Sequence, residues 1–312
     1  MSPGPNPSDA EAPATLMRGE PLSAHATLDV IIATATGSLD LLEACLSSLQ
    51  DASSTLPPLS VTVVDNASRD GLVETVRARY PSIAVHALSE NRGFAAAVNF
   101  GITHTSGGYV LLLNPDTEVP RGAIDRLVSV LHRVPDAGLV GPRLVDRSGR
   151  PDHNAKRTFP TPAAALRHFL GLKPRKGVSG YALADVDEFE QARVDAISGS
   201  CMLARRQAIE RVGLLDEGYW MYGEDLDWCR RFGNHGWRVF YAGDATVLHV
   251  KHGVSGEHPS LRLNWAFHRA MGRFYRRFES GKYPTLDVVV YVGILTKFVM
   301  SVGRAWLRRL SS

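Results

Sequence analysis

The sequence predicts an α/β fold with a mainly parallel central sheet, on two observations. Short apolar, β-branched runs alternate with stretches whose apolar residues recur at helical spacing, the order of elements that builds such sheets. Three residues at or just past the carboxyl ends of these runs, Thr34, Asp65 and Asp116, carry side-chain oxygens. In open α/β sheets the ligand crevice lies outside those ends.

The elements follow in order. "LDVIIAT" (Leu28–Thr34) suits a buried strand, and "SLDLLEACLSSL" places Leu39, Leu42, Leu46 and Leu49 at helical spacing with Ser38 as candidate cap. "LSVTVVDNAS" gives a second strand ending at Asp65, "GLVETVRARY" a helix and "IAVHAL" a third strand. "GFAAAVNFGITHT" is a helix, and "YVLLLNPD" is a fourth strand ending at Asp116. Residues 141–194 are less regular, with strand-like "GLVGPRLVD", Pro-rich "RTFPTP" and Gly/Lys-rich "GLKPRKGVSG". Order resumes with a strand and a helix from about Arg206, a helix near Glu224, the strand "WRVFYA", and "ATVLHVKHGVS".

Composition excludes several classes. A 44% hydrophobic, 21% charged chain of 312 residues can bury a large core and is neither disordered nor fibrous. Cys45, Cys201 and Cys229 form no CxxC pair and are odd in number, which argues for reduced thiols rather than a disulfide scaffold or structural zinc. Residues 1–27, rich in Pro, Ala, Ser and Gly, lack the basic start and apolar core of a signal peptide. They read as a disordered leader on a cytoplasmic protein.

Charge is unevenly placed. Ser260 to Ser312 holds ten Lys/Arg against Glu279 and Asp287, a net +8, which leaves −5 for the rest. A basic end on an acidic body points to an anionic surface. "SLRLNWAFHRAMGRFYRRF" interleaves aromatics and arginines on a helix, and Val288–Val302 is apolar but broken by Lys297. That is short for a spanning helix, which needs ~20 apolar residues. The expectation is a helix lying at the membrane surface with arginines meeting anionic lipid. Packing on the catalytic domain, or a contact between two copies in a homodimer, are the alternatives. No nucleic-acid-binding fold is recognisable.

Several short stretches can carry chemistry. Asp65 in "VVDNASRD" can bond a ribose or base edge, and is equally an Asx turn leaving a strand. "NRGFAAAVNFGI" sets Asn91, Arg92 and Gly93 before an alanine-rich helix whose start suits phosphate. It is neither GxGxxG nor a P-loop, and tight helix packing explains the alanines equally well. "LLLNPDTE" puts Asp116 and Glu118 after an apolar strand, where carboxylates suit a hard divalent cation or form a Pro-Asp turn. "VLHVKHG" offers His249 and His252. In "MYGEDLDWCRR", Glu224, Asp225 and Asp227 either serve a helix dipole or handle protons or a metal.

Their order along Leu28 to Phe278 is the specific signal. "VVDNASRDG", "NRGFAAAVNFGI", "LLLNPDTE" and "SGSCMLARR…GLLDEGYWMYGEDLDWCRR" together resemble family 2 inverting glycosyltransferases of the GT-A fold, especially the bacterial rhamnosyltransferase-like branch. The resemblance implies a GT-A catalytic domain over 28–259, with a nucleotide-binding half (28–120) and an acceptor-binding half (121–259), followed by a helical extension over 260–312. It implies that Thr34 and Asp65 hold base and ribose, with Asn91 and Arg92 near the nucleotide. Asn114-Pro115-Asp116 stands in place of the family's Asp-x-Asp, and Thr34-Ala35-Thr36 where Thr-Tyr-Asn is frequent. Asp116 would bind Mg²⁺ or Mn²⁺ on the diphosphate, joined by His249. Asp225 would be the catalytic base, and Glu224 would belong to the nucleotide-sugar-binding set or, with Asp227, position the base.

The activity implied is metal-dependent, inverting transfer of a sugar, L-rhamnose from dTDP-L-rhamnose, to a polyprenyl-diphosphate-linked glycan or polysaccharide. It would occur at the inner face of the plasma membrane, in cell-wall or surface glycan synthesis. A UDP-hexose or UDP-galactofuranose donor is the alternative within enzymes, and a catalytically silent nucleotide-sugar-binding scaffold the alternative outside them.

Overall fold

A computed structural model describes residues 27–52, 58–160, 183, 186–250, 260–281 and 284–310. The leader, "GLKPRKGVSG" and His252 therefore lie outside the described residues. The element order is β1 (Leu28–Thr34), α1 (Leu39–Ala52), β2 (Leu59–Asp65), α2 (Leu72–Arg79), β3 (Ala84–Ala87), α3 (Phe94–Thr103), β4 (Tyr109–Leu113), β5 (Thr117–Glu118) and α4 (Ala123–Arg133). Then come β6 (Ala137–Val145), β7 (Lys156–Arg157), β8 (Gln191–Val194), β9 (Ala196–Ile197), β10 (Cys201–Arg205), α5 (Arg206–Val212), α6 (Glu224–Asn234), β11 (Arg238–His249), α7 (Leu261–Phe278) and α8 (Pro284–Leu310).

The main sheet runs β3-β2-β1-β4-β10-β6-β11-β5, with β8 also on β11, and β7 pairs β9 in a two-stranded ribbon. The neighbours β3, β2, β1 and β4 are parallel throughout. β10 enters antiparallel between β4 and β6, and β6 pairs β11 in parallel. Both faces of a parallel sheet are covered, so its strands read as continuous apolar runs rather than alternations. β1 and β4 accordingly are buried at every position.

Register aligns the site. Thr34 pairs with Asp65, so the ends of β1 and β2 sit level. Small residues let α3 approach the sheet: a β-carbon at Gly101 would lie 2.4 Å from Ile31 Cγ2. A charged pair is buried here. Asp29 Oδ2 accepts from Arg206 Nη2 at 2.9 Å and from the Gly107 N–H at 2.6 Å, which ties the start of β1 to α5. The three cysteines are free and buried.

Ser38 precedes α1 as expected, but its hydroxyl donates to the Ala35 carbonyl and meets Thr34 Oγ1. "WRVFYA" does not stop at Ala242. β11 continues to His249 past an irregularity between Ala242 and Thr246, which carries the late histidine to the sheet end.

The basic end is a helical hairpin fastened to the body. Arg273 clasps Asp216 with Nε at 3.1 Å and Nη2 at 2.8 Å, and Arg277 Nη1 reaches Asp216 at 2.6 Å and Asp227 at 3.1 Å. Arg262 stacks over Trp220 at 4.0 Å. These arginines are engaged within the protein rather than uniformly offered to an outside surface. In α8 the apolar stretch is longer than the sequence reading allowed. Pro284 starts the helix and Asp287 folds back onto Tyr275, Ser280 and Gly281. Pro284–Arg304 then meets the length and hydropathy (mean 1.7) of a membrane-crossing helix. Tyr291, Leu295, Val299 and Met300 are exposed along it.

Candidate active site

A cavity of about 1320 Å³ opens at the carboxyl ends of β1 and β4. The structure brings Thr34, Asn91, Asn114, Asp116, Glu224, Asp225 and His249 to its wall. Asp65 and Asn91 line an adjoining cavity of about 460 Å³. Arg92 lines neither: its guanidinium is exposed and meets Glu217 at 3.1 Å. Its backbone N–H instead donates to Asn66 Oδ1 at 2.9 Å, helping to shape the loop.

Asp65 is almost wholly buried. Its Oδ2 accepts from the Ser68 N–H at 2.9 Å, the Asx turn that the peptide suggests, while Oδ1 has no hydrogen-bond partner among the described residues. The Asx turn is therefore formed. One oxygen shapes the turn and the other keeps an unmet demand, which a buried polar atom satisfies by binding something.

Asn114 and Asp116 occupy the turn after β4. The Asn114 N–H donates to the Ser200 carbonyl at 2.9 Å and its side-chain amide to Ser200 Oγ at 3.3 Å. Asp116 is buried, and Oδ1 lies 3.5 Å from His249 Nε2, while His249 Nδ1 lies 3.5 Å from Asp152 Oδ2. These approaches are too long for good hydrogen bonds, and both Asp116 Oδ1 and His249 Nδ1 lack a hydrogen-bond partner among the described residues. Burial opposes charge on the imidazole, but the carboxylates of Asp116 and Asp152 outweigh it and raise its pKa to about 9.

Among the described residues no three His, Cys, Asp or Glu side chains converge as a ready-made metal centre. The donors present nevertheless fit a divalent cation shared with a diphosphate. Such ions take one or two carboxylates and leave the remaining positions to water and phosphate. A buried Asp116 oxygen without a hydrogen-bond partner, facing an imidazole nitrogen, is that kind of half-shell.

Asp225 arrives from a separate element, the start of α6. Tyr222 (φ 69°) and Gly223 (φ 82°) are both left-handed, an unusual state for tyrosine. They turn the chain sharply so that α6 begins at the cavity. Asp225 Oδ2 accepts from Arg157 Nη2 at 2.5 Å and from the Gly199 N–H at 3.1 Å, while Oδ1 accepts from the Leu226 N–H at 2.7 Å. Arg157 is braced in turn by the Ile197 carbonyl at 2.8 Å. The carboxylate is oriented by charge and backbone yet remains at the cavity wall.

The neighbouring acids differ sharply. Glu224 is buried, and its Oε2 has no hydrogen-bond partner among the described residues. Burial, and after it the charge of Asp225, push its pKa up from the usual carboxylate value. Asp227 is fully buried and points away into a structural node with Arg231 at 2.7 Å, Tyr219 at 3.3 Å and Arg277.

Arg157, Asp152 and the Ser198–Ser200 backbone are site components that sequence reasoning did not single out. Arg157 opens "RTFPTP", a stretch whose prolines mark it as irregular. "SGSCML" marked the Ser198–Ser200 loop only as part of a pattern.

A sheet of this topology, with a carboxylate turn after β4 and an oriented carboxylate at the start of α6, defines a GT-A-like glycosyltransferase. Solved structures support the fold. The chain superposes on GalNAc-T7 with UDP, GalNAc and Mn²⁺ at a TM-score of 0.59, with 14% identity, 83% of this chain and 49% of that one. It also superposes on a Pyrobaculum calidifontis mannosyltransferase in complex with GDP-Man and Mn²⁺ at 0.55, with 19% identity, 95% of this chain and 79% of that one.

The model of the family "Glycosyl transferase family 2" matches residues 29–213, and the chain belongs to that family. It is similar to an N-acetylglucosaminyl-diphospho-decaprenol L-rhamnosyltransferase of Mycobacterium tuberculosis, 33% identical over 77% of this chain and 81% of the relative. It is also similar to the rhamnosyltransferase WbbL of Escherichia coli, 26% identical over 60% of this chain and 69% of that protein. The protein is a rhamnosyltransferase-like member of family 2, a glycosyltransferase of glycan synthesis.

Proposed function

We propose that this protein transfers L-rhamnose from dTDP-L-rhamnose to a prenyl-diphosphate-linked sugar, with inversion at the anomeric carbon and with help from Mg²⁺ or Mn²⁺. The observation that carries the reading is the shared cavity. Asp116 and Asp225, from separate elements, line one space, and Asp225 alone among the acids on its helix is both oriented and accessible. The choice of rhamnose and of a lipid-linked acceptor is supported by the 33%-identical relative, an N-acetylglucosaminyl-diphospho-decaprenol L-rhamnosyltransferase. A different donor, such as a UDP-hexose, is the second reading, supported by the absence of a Thr-Tyr-Asn sequence after β1.

The residues divide the work. Asp225 accepts the proton of the acceptor hydroxyl as it attacks the anomeric carbon from the face away from the diphosphate. General-base assistance is worth roughly 10²–10⁴ in rate. Arg157 and the Gly199 N–H hold the accepting carboxylate in one orientation, which removes the cost of finding it. Asp116 and His249 would hold the cation, which when bound neutralises charge on the departing diphosphate. A glycosidase sets two carboxylates across the scissile bond; here one suffices because diphosphate leaves without a proton. Asp65, with its unmet oxygen, and Thr34 flank the place of the nucleoside. Residues 28–120 thus bind the donor and 121–259 the acceptor, at the cytoplasmic face of a membrane that α8 touches.

The test is turnover of a nucleotide-sugar panel with Mg²⁺, Mn²⁺ or EDTA, on wild type and Asp225→Asn. The expected result is one preferred donor, bound only with metal, with turnover lost and binding kept in the variant. Failure of every nucleotide sugar to bind with metal refutes the proposal.

A further inference from the structure

The cavity is not uniform. Its polar half holds the carboxylates, Arg157 and His249, whereas its other half is walled by Leu263, Phe267 and Met271 of α7 and by Val289, Val292 and Gly293 of α8. The nucleotide sugar accounts for the polar half only. The apolar half adjoins Asp225 through the same space, and much of it comes from the C-terminal hairpin, joined by Trp220, Met221 and Tyr222.

Two further features indicate what fills it. Lys297 is the cation of α8 that lines this wall, and no ion pair holds it among the described residues, while the arginines of α7 at 273 and 277 are bound to Asp216 and Asp227. A basic group beside an apolar slot suits an amphiphile with an anionic head. At Gly293 an added β-carbon would meet nothing within 4 Å, so the helix leaves open space toward the slot.

We propose that the apolar half of the cavity, between α7 and α8, seats the hydrocarbon chain of a prenyl diphosphate, with Lys297 facing its diphosphate. This rests on the lipid-linked acceptor of the proposed function and adds where that lipid lies. The slot is open to the outside: Phe267, Val289 and Val292 on its wall are 48%, 50% and 56% exposed, and Leu295, Val299 and Met300 continue the exposed apolar surface of α8 without lining the cavity.

The test is titration calorimetry of the full chain with inorganic diphosphate, farnesyl diphosphate and geranylgeranyl diphosphate in micelle-free buffer. Wild type is expected to bind the C20 compound at least tenfold more tightly than inorganic diphosphate, with the C15 compound between. Gly293→Phe fills the slot and reduces that advantage below threefold. Gly303→Leu adds bulk to the same helix away from the cavity and leaves it unchanged. Lys297→Gln weakens all three ligands while keeping their ratio.

No chain-length gain in wild type, or a gain that survives Gly293→Phe, overturns the slot. Metal-dependent donor binding is measured in parallel. Donor binding without a chain-length effect refutes the slot alone, whereas a chain-length effect without metal-dependent binding of any nucleotide sugar supports the slot and refutes the proposed transfer.

Discussion

Asp225 and Asp227 lie two residues apart on α6, and the structure predicts opposite consequences for losing them. Asp227 is fully buried, and its two oxygens take Arg231 Nε at 2.7 Å, Arg277 Nη1 at 3.1 Å and Tyr219 Oη at 3.3 Å. Asp227→Asn keeps the shape and removes the charge, leaving the largely buried Arg231 uncompensated. Breaking a buried pair on one side costs about 3–5 kcal/mol. Arg231 keeps the Val212 and Leu214 carbonyls at 3.1 and 2.7 Å, and Arg277 keeps Asp216, so the lower end applies. A loss of about 3 kcal/mol lowers Tm by roughly 6–12 °C in a domain of this size. Urea unfolding followed by tryptophan fluorescence reads it directly. Asp225→Asn, at the cavity wall, is expected to leave Tm within about 2 °C of wild type. A destabilisation by Asp227→Asn below about 1 kcal/mol would refute the assignment of this node as structural.

Three further outcomes are expected. Arg157→Lys loses the short charged bond to Asp225, worth about 1.5–3 kcal/mol; kcat should fall roughly ten- to hundredfold, with donor KM unchanged, and a rise in donor KM alone would contradict the positioning role. Glu224 has a folded pKa above its unfolded value, so its burial costs nothing below the usual carboxylate pKa and costs progressively more as pH rises toward the folded pKa. Glu224→Gln should therefore stabilise the protein increasingly above about pH 5, and pH-dependent Tm curves that stay parallel would count against it. Gly93→Ala meets the Trp220 carbonyl oxygen at 2.3 Å from a backbone at φ 91° and ψ 172°. That conformation is nearly restricted to glycine, and the variant should lose about 2 kcal/mol or more, with an unchanged denaturation midpoint refuting the clash.

The segment from β1 to β4 was legible because each of its elements carries its own period. β1 to β4 alternate with α1 to α3 in sequence order, and the apolar runs mark buried parallel strands wherever they occur. The antiparallel insertion of β10 between β4 and β6 was not legible, since nothing local to "CMLAR" encodes its direction. Arg157 escaped notice for a related reason. It sits on a strand of two residues and gains its importance only when β9 and α6 converge on it. Asn91, Asn114, Asp116, Glu224, Asp225 and His249 do share a cavity, whereas the Arg92 side chain leaves for Glu217, a destination 125 positions away that no local pattern contains. The tail's arginines looked like a surface charge because their acidic partners, Asp216 and Asp227, lie in another segment.

The antiparallel meeting of β4 and β10 has one more consequence. Leu113 stands opposite Cys201, and just beyond them the Asn114 N–H is bonded to the Ser200 carbonyl. The turn bearing Asp116 is thereby stapled, main chain to main chain, to the loop whose Gly199 N–H holds Asp225. The spacing between the turn of Asp116 and the start of α6 is thus set by peptide groups, so that, under the proposed transfer, residues around the cavity can be exchanged while the distance from departing diphosphate to incoming hydroxyl is kept.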